Sequence, residues 1–194
     1  LVELANRTWI DFENLIQEQF KKKENLIPGN IQALHLGVDY ALKNYSLLPY
    51  KIERRDLIGD RILIEGNNAC GLGALFAGAT VGSWYPITPS TSVMNAFEKW
   101  CYKFRVDSET GEHKFAIIQA EDELAAMGMV LGANWNGARS FTATSGPGVS
   151  LMSEFLGLSY FAEIPAVLID VQRGGPSTGM PTRTQQSDLM IAAY

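Results

Sequence analysis

Three acids, Glu121-Asp122-Glu123, stand where the apolar run 115–120 gives way to a helical pattern. Acids are favoured in a helix first turn because the amides there are unpaired and the dipole is positive, so capping alone accounts for them. The helix continues as Leu124-Ala125-Ala126-Met127-Gly128-Met129-Val130-Leu131-Gly132-Ala133, nearly free of polar side chains. A helix of that composition is covered on most sides, and at least one of the three carboxylates is expected to be drawn inward. A carboxylate held against a heterocycle in an apolar site can give and take a proton there.

Three further segments could work beside it. Tyr85-Pro86-Ile87-Thr88-Pro89-Ser90-Thr91 brackets a threonine with two prolines, which stiffen the chain at a strand-to-helix junction. Either this is a rigid turn capped by Ser90 or Thr91, or the Thr88 hydroxyl and the following amides are held ready for an anion such as a carboxylate. Ser145-Gly146-Pro147-Gly148 is open to a similar choice, between a plain turn and a lining for a phosphate or a ring. Arg173-Gly174-Gly175-Pro176-Ser177-Thr178-Gly179 begins with a cation whose planar fork suits a carboxylate, although an isolated surface arginine is common.

Other candidates carry less. Gly66-Asn67-Asn68-Ala69-Cys70-Gly71-Leu72-Gly73 lacks the GxGxxG spacing of a dinucleotide site and reads better as helix packing, with Ala69, Gly73, Ala74, Ala77 and Gly78 allowing close approach to a sheet. His35 and His113 have no metal-ligand spacing to a cysteine or to each other. Cys70 and Cys101 are the only cysteines, too few for a disulfide framework or an internal cluster, and read as reduced, partly buried thiols. Trp9, Trp84, Trp100 and Trp135 read as packing residues.

The elements that would position these groups follow from periodicity. Trp9, Phe12, Ile16 and Phe20 form one helical stripe, and Ile31, Leu34, Val38 and Leu42 another. The stretch 25–29 is expected to break the first helix, and Asn30 to cap the second. Residues 44–60 lose periodicity and suit a linker, with a boundary near Leu57 that separates residues 1–56 from 57–194. Beyond it, strands are expected at 61–65, 82–87, 115–120, 140–144 and 166–171. Helices are expected at 69–79, 91–104, 121–134 and 149–161, the second of these with Val93, Phe97, Trp100 and Phe104 on one face. This alternation predicts an α/β fold, a mostly parallel, doubly wound sheet behind a short helical segment. Sites in such sheets lie beyond the carboxyl ends of the strands, where all four chemical segments fall.

With 194 residues, 46% of them apolar, the chain can bury its own core. A formal charge of -5 and one basic run, Lys21-Lys22-Lys23 at a helix end, argue against nucleic acid as a partner. No apolar stretch reaches the roughly 18 residues that span a bilayer, and the expectation is a cytoplasmic protein. The Leu1 start and the apolar run at Tyr194 are read as those of a piece of a longer chain.

Taken in order, these segments resemble the pyrimidine-binding domain of the pyruvate and 2-oxoglutarate ferredoxin oxidoreductases, over about residues 66–189. Tyr-Pro-Ile-Thr-Pro-Ser, Glu-Leu-Ala-Ala-Met-Gly, Thr-Ala-Thr-Ser-Gly-Pro-Gly and Val-Gln-Arg-Gly-Gly-Pro-Ser-Thr-Gly carry the resemblance. Residues 20–42 more loosely resemble the end of the gamma domain fused ahead of alpha in 2-oxoglutarate-type enzymes. The resemblance implies that Glu123 hydrogen-bonds the aminopyrimidine of thiamine diphosphate and promotes C2 deprotonation. It implies that Thr88 and Arg173 hold the oxoacid, and that Pro86, Ser145 and Gly146 line the cofactor. It further implies oxidative decarboxylation to an acyl-coenzyme A and CO₂, with electrons passing to ferredoxin. The sequence carries no GDG-type diphosphate and magnesium motif, and two isolated cysteines cannot hold a [4Fe-4S] cluster, so magnesium and the cluster are expected on a partner beta subunit and no metal ligands are assigned in this chain. 2-Oxoglutarate is the favoured substrate; pyruvate, branched-chain or aryl oxoacids, or a non-catalytic assembly role, are the alternatives.

Overall fold

A computed structural model describes residues 9–46, 57–176 and 189–193, the side chain of Trp9 excepted. The chain divides into two compact units, Leu1–Ile62 and Leu63–Tyr194. The expected linker residues 47–56 and the loop residues Ser177, Thr178 and Gly179 lie outside the described residues.

The first unit pairs helix α1 (Trp9–Gln19) with helix α2 (Ile27–Asn44) across a short 3-10 turn, Glu24–Leu26. Phe12 and Ile16 on α1, and Ile31, Leu34 and Val38 on α2, are half-buried, whereas Leu42 is exposed. Two positions differ from expectation. Pro28 occupies the first turn of α2, where its missing N–H costs nothing, so it starts the helix that it was expected to precede. Asn30 is inside that helix, and its amide donates to the Leu26 carbonyl instead of accepting from a free N–H. His35 Nε2 lies 2.7 Å from the Glu13 carboxylate and joins the two helices.

The second unit begins with helix α3 (Gly66–Phe76), followed by strand β1 (Val81–Trp84), helix α4 (Thr91–Phe104) and strand β2 (Ala116–Gln119). Helix α5 (Glu123–Trp135), strand β3 (Ser140–Thr144), helices α6 (Pro147–Leu151) and α7 (Ser153–Phe161), strand β4 (Val167–Asp170) and helix α8 (Leu189–Ala193) complete it. Among the described residues the sheet has four strands in the order β2-β1-β3-β4, with every pairing parallel. All four carboxyl ends therefore share one rim.

The sheet is covered on both faces, as the alternation of strand and helix patterns predicts. Leu75 and Ala79 join Val93, Met94, Phe97 and Cys101 of α4 over Phe141 and Ala143 on one face. Ala126, Met127 and Leu131 of α5 join Met152 and Ile164 on the other, with Leu168 and Phe155 packed against them. Phe97 is wholly buried and meets Phe141 edge-on, with ring centroids 4.9 Å apart. Burying one such side chain contributes roughly 1.5–3 kcal/mol.

Several expectations need correction. Residues 61–65 form no strand: Ile62 and Leu63 are 76% and 98% exposed, without a ladder partner. Three apolar residues in a row look like a strand, but here they lead straight into α3. The close approach made by α3 is at Gly71, where a Cβ would lie 2.7 Å from the Phe97 nitrogen, so it faces α4 and not the sheet. Gly73, Ala69 and Ala77 are exposed. On α4 the buried face runs through Val93, Met94, Phe97 and Cys101, while Phe104 is half-exposed and stacks on Trp100 at the margin. The expected helix 149–161 is two, interrupted at Met152, whose side chain fills the core. Trp135 is 70% exposed. Cys70 is exposed and Cys101 fully buried, so neither thiol is the partly buried one that was expected.

Candidate active site

The rim at the carboxyl ends of the strands collects the four chemical segments. Their acids are sorted by the backbone. Asp122 is extended, and its Oδ1 accepts from the Ala125 amide at 2.6 Å, so this residue is the helix cap. Glu121 and Asp122 are exposed. Glu123, the first residue of α5, is only 8% exposed. Capping and burial, which the sequence could not separate, thus fall on different acids.

Glu123 rests against Gly148 of α6. A Cβ at Gly148 would lie 3.2 Å from Glu123 Cγ and 2.0 Å from Thr144 Oγ1, so no larger residue fits without moving one of them. Gly148 lies in the run that the sequence offered as a turn or a lining, whereas Thr144 was read only as the end of a strand. The signal that could have found Thr144 is its hydroxyl directly before that run, next to an acid-capped apolar helix.

Arg173 and Thr88 also meet. The Arg173 side chain is 5% exposed, and its Nη1 donates to the Thr88 carbonyl at 2.8 Å, joining the segment after β4 to the turn after β1. Gly146 makes this possible: it has φ +43°, and a Cβ there would lie 2.7 Å from the Arg173 carbonyl oxygen and 3.3 Å from its Cγ. Pro86 and Thr88 themselves are exposed. In this turn Ser90 and Thr91 donate their hydroxyls to the Ile87 carbonyl, and neither caps an α4 amide with its side chain. Asn67 of α3 donates to the Pro89 carbonyl and to Ser92 Oγ, a tie that the sequence did not reveal.

At the end of β3, Thr144 Oγ1 and Ser145 Oγ are wholly buried and have no hydrogen-bond partner among the described residues. Buried hydroxyls are ordinarily satisfied, so two together beside a buried carboxylate are what a polar ring would fit. The residues present thus fit the aminopyrimidine half of thiamine diphosphate. For the metal-diphosphate half, no group of three or more His, Cys, Asp or Glu side chains among the described residues could hold a metal ion.

The sequence matches the family model described as pyruvate flavodoxin/ferredoxin oxidoreductase, thiamine diphosphate-binding, over residues 72–193. The chain belongs to this family. Among relatives of these oxidoreductases, it is 39% identical to the 2-oxoacid:ferredoxin oxidoreductase 1 alpha subunit of Sulfurisphaera tokodaii, across 100% of the chain and 29% of that protein. It is 39% identical to the 2-oxoglutarate oxidoreductase subunit KorA of Mycobacterium tuberculosis, across 94% of the chain and 27% of that protein. A solved 2-oxoglutarate:ferredoxin oxidoreductase from Magnetococcus marinus, with 2-oxoglutarate, coenzyme A and succinyl-CoA bound, superposes with a TM-score of 0.74 at 39% identity. That match covers 99% of this chain and 32% of the solved one. The chain therefore spans less than a third of the length of these oxidoreductases. No helix among the described residues is long and apolar enough to cross a membrane.

Proposed function

We propose that this chain is the portion of a 2-oxoacid:ferredoxin oxidoreductase alpha subunit that activates thiamine diphosphate, with 2-oxoglutarate as substrate. The observation that carries the reading is the burial of Glu123 alone among three consecutive acids, at the rim where Arg173 and Thr88 also meet.

Glu123 would hold a proton at N1′ of the aminopyrimidine, and Ser145 and Gly146 would line that ring beside it, with Pro86 on the neighbouring turn. Bound thiamine diphosphate supplies the carbanion chemistry by which a 2-oxoacid loses CO₂. Arg173 would offer its guanidinium to the oxoacid carboxylate, and Thr88 its exposed hydroxyl to the same molecule. Gly146 and the Thr88 carbonyl keep the arginine in place before substrate arrives, which lowers the ordering cost of binding. Ferredoxin, coenzyme A, magnesium and the [4Fe-4S] cluster would be handled with a beta subunit. The preference for 2-oxoglutarate rests on the substrates named for the relatives at similar identity.

The test is oxoacid-dependent ferredoxin reduction by the assembled enzyme. Glu123→Gln should lower turnover about 10²–10⁴-fold, the usual worth of a positioned acid–base group. Turnover near that of the unaltered enzyme would sink the assignment. A panel of 2-oxoglutarate, pyruvate, branched-chain and aryl oxoacids in the same assay decides the substrate.

A further inference from the structure

The hydroxyls of β3 form a row. Side chains alternate along a strand, and Phe141 and Ala143 face α3 and α4, so Ser140, Thr142 and Thr144 face α5. The lowest of them confirms it: Ser140 Oγ donates to the Val130 carbonyl of α5 at 2.7 Å. Along α5, the residues on the side of Val130 recur at Ala126, Met127 and Glu123, all buried. Four residues of strand rise roughly 13 Å and seven of helix roughly 10 Å, so the two rows climb together toward the rim. Ser140 meets Val130 at the bottom. At the top, Thr144 and Glu123 both border Gly148, where a Cβ would lie 2.0 Å from Thr144 Oγ1 and 3.2 Å from Glu123 Cγ.

The middle and top hydroxyls have no partner among the described residues, although Thr142 and Thr144 are fully buried, and of the two only Thr144 is next to Glu123 at Gly148. The Thr144 backbone is already engaged, since its carbonyl accepts from Val171. A carboxylate that offers one oxygen to a ring nitrogen leaves a second oxygen in a dry site, where a missing donor is costly. We propose that Thr144 is a positioning residue for Glu123, its hydroxyl donating to the carboxylate oxygen that does not face the cofactor ring. This rests on the reading of Glu123 given above. Gly148 leaves room for the Thr144 hydroxyl to turn to Glu123, because a Cβ there would crowd both side chains.

The measurement is hydrogen–deuterium exchange at C2 of thiamine diphosphate bound to the assembled enzyme, expressed per bound cofactor. Thr144→Val keeps the shape and removes the donor. Exchange should fall roughly ten- to a hundredfold, as expected for one hydrogen bond to a charged group. Thermal stability without cofactor should stay level or rise, since an unpartnered buried hydroxyl is being replaced by a methyl. Thr144→Ser, which keeps the donor, should restore most of the exchange. Exchange in Thr144→Val as fast as in the unaltered enzyme would overturn the proposal. If that variant does not assemble, Thr144→Ser and Thr144→Ala form the comparison: they differ only in the hydroxyl, and equal exchange rates would overturn it too. Glu123→Gln separates this failure from that of the underlying reading. Normal exchange in Glu123→Gln removes the role of Glu123 itself, whereas lost exchange there with normal exchange in Thr144→Val removes only Thr144.

Discussion

The two thiols differ in their exposure. Cys70 is exposed on α3. Cys101 is fully buried on α4, and burial pushes its pKa from 9.0 up to about 11, with Arg105 opposing the rise. A buried, protonated thiol is a poor nucleophile. Alkylation of the native protein near pH 8 should therefore modify one thiol quickly, with the second reacting only on unfolding, and mass mapping should place the fast label on Cys70. The sign for stability follows from the same shift: because the folded state holds the proton more tightly, the contribution of Cys101 is whole below pH about 9 and is lost as pH rises toward 11. Two equally fast thiols would contradict the packing of α4. At this scale the sequence was least informative, since the exposure of Cys70 and the burial of Glu123 depend on neighbours far away in the chain. Three adjacent acids look alike until a cap claims one of them.

Elements with strong local signals were legible to the residue. Helix α4 and strand β3 lie where the apolar spacing put them, because 91–104 has a full helical stripe and 140–144 is a short run bounded by Arg139 and a Gly-Pro turn. What failed was whatever depended on a partner. Residues 61–65 have strand composition and no ladder partner among the described residues. The face of α4 that is buried was set by Gly71, which brings α3 against Phe97 and Val93, and by Gly82, where a Cβ would lie 2.7 Å from Met94 Cε. Helix α5 is capped by Asp122. Its Asp122 cap should be worth about 1 kcal/mol, so Asp122→Ala should lower the urea midpoint while Asp122→Asn largely preserves it. Glu121→Ala, at an exposed position, should change stability by less than ~0.5 kcal/mol. If Asp122→Ala proved as stable as the unaltered protein, the division of labour between cap and buried acid would be wrong.

Over the whole molecule, four motifs in fixed order made the family legible, because each sits at the carboxyl end of a parallel strand and the fold gathers those ends on one rim. What that rim offers is uneven. It has a buried carboxylate for a ring, two unpartnered hydroxyls at the end of β3, and an arginine held on the same rim. For a metal-bound diphosphate the described residues have no matching cluster, and the two cysteines of the chain are two short of the four thiolates that a [4Fe-4S] cluster takes. The proposed function would make this rim one wall of a cofactor pocket whose other wall is a beta subunit. If so, the chain alone should bind thiamine diphosphate at least roughly a hundredfold more weakly than the assembled enzyme, since two lost charge-assisted contacts already amount to about 3–6 kcal/mol. Calorimetric titration of the chain with thiamine diphosphate and magnesium, before and after addition of the beta subunit, measures the difference. Equal affinity in the two titrations would mean that the diphosphate is held by residues of this chain, and the shared-pocket reading would fall.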